Sequence, residues 1–150
     1  MSSANNGRTE RILVVAALFA CAVSLSLGAQ TMKASESAAT MTAAPSVVVQ
    51  DQTIVDSRVV ILKVVSPGPG WIVIHADNSG KPGPVLGWAA VRAGENLDVV
   101  VALDTKRATP VLYAMLHVDA GVVGTYEFPG ADTPTMSMGA MVSPPFKAGM

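Results

Sequence analysis

The chain has 150 residues, half of them hydrophobic and only 14% charged, and its formal net charge is −1 from 10 basic and 11 acidic residues. This balance, without any cluster of Lys and Arg, excludes a nucleic-acid partner bound through its phosphate backbone. The length suits one small globular domain. The single cysteine, Cys21, excludes an intramolecular disulfide and any site built from several thiolates.

Residues 1–29 are predicted to be an export segment. Arg8 and Arg11 precede the uncharged run Ile12–Ala29, and a basic start followed by an apolar core is typical of a signal peptide. Two alternatives remain open. The run could stay uncleaved as a membrane anchor, since a span needs about 20 apolar residues, or Leu18–Cys21 could be a lipobox with Cys21 as the lipid acceptor. Each alternative places the rest of the chain outside the cytoplasm.

Residues 30–46 are rich in Ala, Ser and Thr and predict a flexible linker. From residue 47 to residue 134, β-branched runs alternate with Pro, Gly, Asn and Asp. Short strands at this spacing predict an all-β domain, a single antiparallel Greek-key sandwich of the Ig-like or cupredoxin-like type. The predicted strands, about seven, are Val47–Gln50, Arg58–Val65, Trp71–Ala76, Val85–Val91, Leu97–Leu103, Val111–Val118 and Thr125–Phe128.

Alternation along the third and sixth strands separates a core face from an opposite face. The opposite face of each strand begins with a large aromatic residue, Trp71 or Tyr113, and ends in His-x-Asp. The aliphatic sets are assigned to the core, and they are Ile72, Ile74 and Ala76 in the third strand and Leu112, Ala114, Leu116 and Val118 in the sixth.

The His-x-Asp pattern occurs twice, at His75–Asp77 and at His117–Asp119. In a Greek key of this type the third and sixth strands are antiparallel neighbours. A register that sets His75 opposite Asp119 also sets Asp77 opposite His117, and it gathers two imidazoles and two carboxylates on one face. Such a ligand set suits Zn²⁺ or Cu²⁺. The alternative is that each histidine is structural, with its ring hydrogen-bonded to a loop backbone.

Residues 135–150 are predicted to be a disordered tail rich in Met and Pro. Met136, Met138 and Met141 follow the spacing M-x-M-x-x-M, and thioethers are soft ligands that select Cu(I). The alternative is a tail that binds nothing. A blue-copper site is excluded because it needs a Cys thiolate, and Cys21 lies in the export segment.

No enzyme signature accompanies these residues. A nucleophile elbow is lacking beside either histidine, and the aspartates are scattered over strand ends and turns. No glycine-rich loop leads from a strand into a helix, as a phosphate site requires. We therefore predict a protein that is not an enzyme.

Three pieces of the chain, in order, resemble an uncharacterised family of exported domains of archaea and bacteria. They are Gly70–His75, which reads GWIVIH; Val85–Gly87, followed by a Val-x-x-Gly at Val91–Gly94; and Leu112–Pro134, which contains AMLHVD followed by GTYEFPGADTP. The resemblance covers about residues 47 to 134. It implies a compact β-sandwich outside the cell and no particular activity.

Taken together, these patterns predict a non-enzymatic binding or structural module of the cell envelope. Its partner is expected to be an envelope protein or a small ligand, with membrane contact only through the N-terminal segment. The alternative is an extracytoplasmic copper- or zinc-binding protein that uses His75, His117 and the methionines of residues 135–150.

Overall fold

The computed structural model of the protein describes residues 43–150, and strands are the main regular structure in this range. In chain order the strands are β1 (Ser46–Val48), β2 (Gln52–Thr53), β3 (Arg58–Ser66), β4 (Gly70–Asp77), β5 (Pro82–Val91), β6 (Gly94–Ala102), β7 (Val111–Val118), β8 (Met136–Ser137), β9 (Ala140–Met141) and β10 (Pro145–Gly149). One turn of 3-10 helix, Thr105–Arg107, lies between β6 and β7. The predicted all-β class is confirmed.

The strands form sheets that do not close into a barrel and that are antiparallel except for one pair. One sheet has three strands in the order β1-β3-β6, and a second has five in the order β2-β10-β7-β4-β5. Strands β8 and β9 form a separate hairpin. Within the larger sheet, β10 pairs with β2 in parallel and with β7 in antiparallel orientation.

The structure differs from the disordered tail predicted over residues 135–150. Strand β10 fills the position between β2 and β7, and Phe146 and Ala148 on it are buried. The two prolines before Phe146 and the small residues after it gave no strand pattern. The strand forms because two neighbouring strands offer their backbone groups to it, which is a tertiary effect that overrides local propensity.

The hydrophobic core lies between the three-stranded and the five-stranded sheet. Each sheet contributes the apolar side of its alternating strands, as the sequence predicts. Buried members from the first sheet include Val59, Ile61, Val64 and Val101, and those from the second include Ile72, Ile74, Ala76, Leu112, Ala114 and Leu116.

The opposite faces of β4 and β7 are buried as well, so these central strands are covered on both sides. The cover is the segment from residue 119 to residue 134, whose aromatic side chains Tyr126 and Phe128 lie against the side chains of β4 and β7. The strand predicted at Thr125–Phe128 is absent, since these residues form turns and irregular loop. The segment predicted to be the last strand is therefore a loop that lies on the outer face of the sheet.

Among residues 43–150, no helix is long and apolar enough to cross a membrane. The predicted export segment, the lipid acceptor Cys21 and most of the predicted linker lie outside the described residues. The linker overlaps them only at residues 43–46, and Ser46 already begins β1.

Candidate functional site

The register between β4 and β7 differs from the one predicted from the two His-x-Asp patterns. His75 lies opposite Tyr113, and His117 lies opposite Trp71. The predicted partner of His75, Asp119, instead follows the far end of β7. The observed register is set by the core, where Ile72 meets Leu116. It differs from the predicted one by an even number of residues, so each side chain keeps its predicted face.

The two histidines nevertheless meet on the outer face of the sheet. Their ring centroids are 5.8 Å apart and the ring planes differ by 15°. His75 is 3% exposed and His117 is fully buried. The two rings come together as predicted. The predicted strand register, with His75 opposite Asp119, is not the one that brings them together.

Each imidazole is fixed by one hydrogen bond to a backbone carbonyl. His75 Nδ1 donates to the carbonyl oxygen of Gly83 at 2.8 Å, and His117 Nδ1 donates to that of Asp132 at 2.8 Å. A carbonyl oxygen can only accept, so the proton of each ring is on Nδ1 and the lone pair is on Nε2. Both Nε2 atoms are buried and have no hydrogen-bond partner among the described residues.

Burial also fixes the charge of the pair. Desolvation is the largest effect on both rings, and it lowers the pKa of His75 and the pKa of His117 below their ordinary value. The hydrogen bonds to the carbonyls oppose this shift, and the neighbouring ring of His75 adds to it at His117. At neutral pH the site therefore holds two uncharged imidazoles with free lone pairs.

The two aspartates of the His-x-Asp patterns serve turns and do not join the histidines. Asp77 Oδ1 accepts from the amide of Gly80 at 2.9 Å and from the Tyr113 hydroxyl at 3.2 Å. Asp119 accepts from the amide of Gly124 at 2.9 Å. Because β4 and β7 are antiparallel, these two carboxylates lie at opposite ends of the strand pair. The predicted cluster of two imidazoles and two carboxylates is therefore not formed.

A third carboxylate, Asp132, organises the loop over the histidines. It is fully buried, and its two oxygens accept from the amides of Ala120 at 2.8 Å and Glu127 at 2.7 Å. Its own carbonyl holds His117 Nδ1. One residue thus fixes both the loop and the imidazole. The sequence pattern PGADTP signalled a turn at Asp132 but gave no sign of its burial.

Aromatic rings surround the histidine pair. Phe128 meets His117 edge-on at 4.7 Å and His75 at 6.2 Å between centroids. Tyr126 lies between Trp71 and Trp88, at 5.7 and 4.5 Å. Burial, together with the charge of Asp132, raises the pKa of Tyr126 to about 12, so its hydroxyl stays protonated. Tyr126 and Phe128 cover His117, which is fully buried.

A cavity of about 310 Å³ opens beside His75, and two thioethers line it. Its walls include Met115 from β7, Met141 from β9 and the ring of Phe128. Of the methionines predicted as soft ligands, only Met141 reaches this cavity. Met136 lies opposite Met141 in the hairpin, and Met138 is fully exposed at its tip. Sequence reasoning missed Met115 because a methionine inside an apolar strand looks like ordinary core.

Comparison with protein families gives a match. Residues 45–147 fit the model of a family described as a domain of unknown function, DUF7282. The chain belongs to this family. The resemblance expected from the sequence is thereby confirmed, and the DUF7282 match extends beyond residue 134 to include β8, β9 and most of β10. Neither the curated proteins nor the solved structures yielded a match to this chain.

The donor atoms of the DUF7282 domain at this site are nitrogen and sulfur. Within residues 43–150, no group of three or more His, Cys, Asp or Glu side chains is placed to hold a metal ion. What the domain does bring together is two imidazole rings, with Met115 between them on the same face of the strand pair. All three donors are neutral. They can bind a metal ion as Lewis bases, and in the described part of the chain neither histidine is hydrogen-bonded to a hydroxyl or thiol that it could activate.

Proposed function

We propose that this protein is a non-enzymatic, extracytoplasmic binding module that holds a copper or zinc ion between His75 and His117. One observation carries the proposal: both Nε2 atoms are buried and lack a partner within residues 43–150, while both Nδ1 atoms are fixed by backbone carbonyls. The β-sheets would form a Greek-key sandwich of the Ig-like or cupredoxin-like type, with the site on its outer face.

The cost of the metal-free arrangement supports a ligand. A buried acceptor without a partner destabilises a fold by about 1–3 kcal/mol, and here two such acceptors lie side by side. A metal ion would satisfy both lone pairs at once. Metal-binding histidines commonly donate their other ring N–H to a carbonyl or carboxylate, which fixes the ring and strengthens the donor nitrogen. His75 and His117 both have this second hydrogen bond.

The distance between the rings also fits a shared ion. With a metal–nitrogen bond of about 2.0 Å, two imidazoles on one ion have centroids separated by about 5 Å for a tetrahedral angle and about 6 Å for a linear one. The observed 5.8 Å lies inside this interval. The near-parallel rings, whose planes differ by 15°, are also at a separation usual for packed aromatic pairs, so the distance is compatible with a shared ion but does not require one.

The location outside the cytoplasm rests on residues 1–29, whose basic start and apolar run favour export. The absence of enzymatic activity is supported by the surroundings of the histidines in residues 43–150. Their Nδ1 atoms contact backbone and their Nε2 atoms contact no nucleophile, so neither ring is placed to work as a general base. A partner in the envelope would exchange the ion or use the module as a spacer.

The test is a titration of the full chain with Zn²⁺ and with Cu(I) against indicator chelators, for wild type, His75→Asn and His117→Asn. Asparagine places an N–H near the position of Nδ1 and so keeps the carbonyl hydrogen bond, but it has no counterpart of Nε2. We expect one ion per chain for wild type and at least about tenfold weaker binding for each variant.

Two controls accompany this titration. Met138→Leu, at the exposed tip of the hairpin, is expected to bind as wild type does. The double variant His75→Asn, His117→Asn is expected to have nearly the same affinity as either single variant, because one ion needs both nitrogens and losing the first already removes the site. Wild-type protein that binds neither metal, or single variants that bind normally, would show that the histidines are structural only.

A further inference from the structure

The position of Met115 relative to the two histidines identifies a third donor. On β7, Met115 is two residues before His117 and therefore on the same face. Across the strand pair it lies opposite Val73, midway between the Trp71–His117 pair and the His75–Tyr113 pair. The backbone of Met115 therefore lies between the backbone positions of the two histidines. Met115 is 3% exposed, and it shares the cavity wall with His75.

The charges around the cavity favour a monovalent ion. The side chains that line the cavity include Lys81 and no carboxylate. The desolvation cost of an ion grows with the square of its charge, so a divalent ion among neutral donors is penalised about four times as strongly as a monovalent one. The one buried carboxylate nearby is that of Asp132, which acts on the neighbouring Tyr126 and His117.

Resting on the proposed function of the histidine pair, we propose that the resident ion is Cu(I), bound in a three-coordinate site by His75 Nε2, His117 Nε2 and the sulfur of Met115. Thioether sulfur is a soft donor that prefers Cu(I), whereas Zn²⁺ in proteins takes four ligands and is commonly given thiolate or carboxylate donors. Binding is ligand exchange: Cu(I) is transferred from a donor to the site with no change of oxidation state, and no proton leaves the neutral imidazoles.

The hairpin β8–β9 supplies the route. Met141 lines the cavity and is 51% exposed, so this residue borders both solvent and the space beside His75. An ion delivered at Met141 would pass inward to His75 and Met115 without crossing the aromatic layer of Tyr126 and Phe128. The fully buried His117 is the donor reached last.

The experiment compares Met115→Leu with Met138→Leu in the full chain, with Cu(I) offered under anaerobic conditions against a chromophoric Cu(I) chelator and with Zn²⁺ offered separately. Leucine has a volume close to that of methionine, so the fold is retained. We expect wild type to bind Cu(I) at least 100-fold more tightly than Zn²⁺. Met115→Leu should weaken Cu(I) at least tenfold and leave Zn²⁺ within threefold, and Met138→Leu should change neither.

X-ray absorption of the Cu(I)-loaded wild type adds a measurement that needs no variant. One sulfur scatterer at about 2.3 Å beside nitrogen scatterers is expected, by analogy with other metal–sulfur bonds. A copper shell without sulfur, or Cu(I) affinity unchanged in Met115→Leu, overturns the assignment of Met115. Equal affinity of wild type for Zn²⁺ and Cu(I), lost in His75→Asn, also overturns this inference but leaves the histidine site standing. Failure of wild type to bind either metal overturns both.

Discussion

Replacement of Asp132 by alanine tests how the loop over the histidines is held. The carboxylate accepts from two backbone amides, those of Ala120 and Glu127, which have no other acceptor once it is gone. A buried donor without a partner costs about 1–3 kcal/mol. Both amides are partly buried, so we expect Asp132→Ala to lower the free energy of unfolding by about 3 kcal/mol. For a domain with about 5–15 kcal/mol in total, this is a large fraction.

Urea unfolding followed by tryptophan fluorescence measures this loss. The chain has two tryptophans, Trp71 and Trp88, and both rings contact Tyr126 of the same loop, so their emission reports on it. The matched control is Asp119→Ala, because Asp119 also accepts from a loop amide but at an exposed position, where water replaces it. We expect less than about 1 kcal/mol there. Equal losses in the two variants would refute the reasoning.

Three further predictions concern the sheet and its titration. Gly70→Ala places a Cβ against the carbonyl oxygen of His117 and should cost more than about 2 kcal/mol in urea unfolding, whereas Gly68→Ala, with open space around it, should cost little. Phe146→Ala should cost about 3–5 kcal/mol in the same assay, since the ring is buried; a near-neutral result would mean that β10 is dispensable. Because burial lowers the pKa of His75 and His117, the unfolded chain binds protons that the folded chain does not. The urea midpoint of metal-free protein should thus be constant above about pH 6.5 and fall below it, and a midpoint flat down to pH 5 would contradict this.

The strands of the core could be read from the sequence because their signal is local. Alternating β-branched residues between turn residues placed β3 to β7 within about three residues of their true ends, and Val111–Val118 matches β7 at both ends. The core faces of β4 and β7 also followed from alternation. Leu97 shares the alternation of the buried Val101 along β6, yet it is exposed, because Asp98 next to it has a φ of 49° and interrupts the extended backbone.

Only part of the site could be predicted from the sequence, because the rest depends on tertiary packing. The sequence placed His75 and His117 on one face, which depends only on the parity of positions along a strand. It could not give the register, which the packing of the core decides. The sequence also predicted a strand at Tyr126 and Phe128. Aromatic residues near a Pro-Gly turn occur both in strands and in loops that cover a sheet, so composition does not distinguish the two. The free Nε2 atoms, from which the proposal of a metal starts, exist only in the folded molecule.

The place of β10 in the larger sheet has a consequence for the order of folding. Its partners β2 and β7 lie far back in the chain, and Lys147 N donates to Asp51 across a separation of 96 residues. Contacts at such separation form slowly, because a long loop must close before they stabilise anything. Until β10 arrives, β2 and β7 keep unpaired edges that can recruit strands from other chains. A protein that is threaded through a membrane starting from its N-terminus would expose these edges until residues 145–149 have crossed. A holding factor on the far side would therefore be most useful in that last interval.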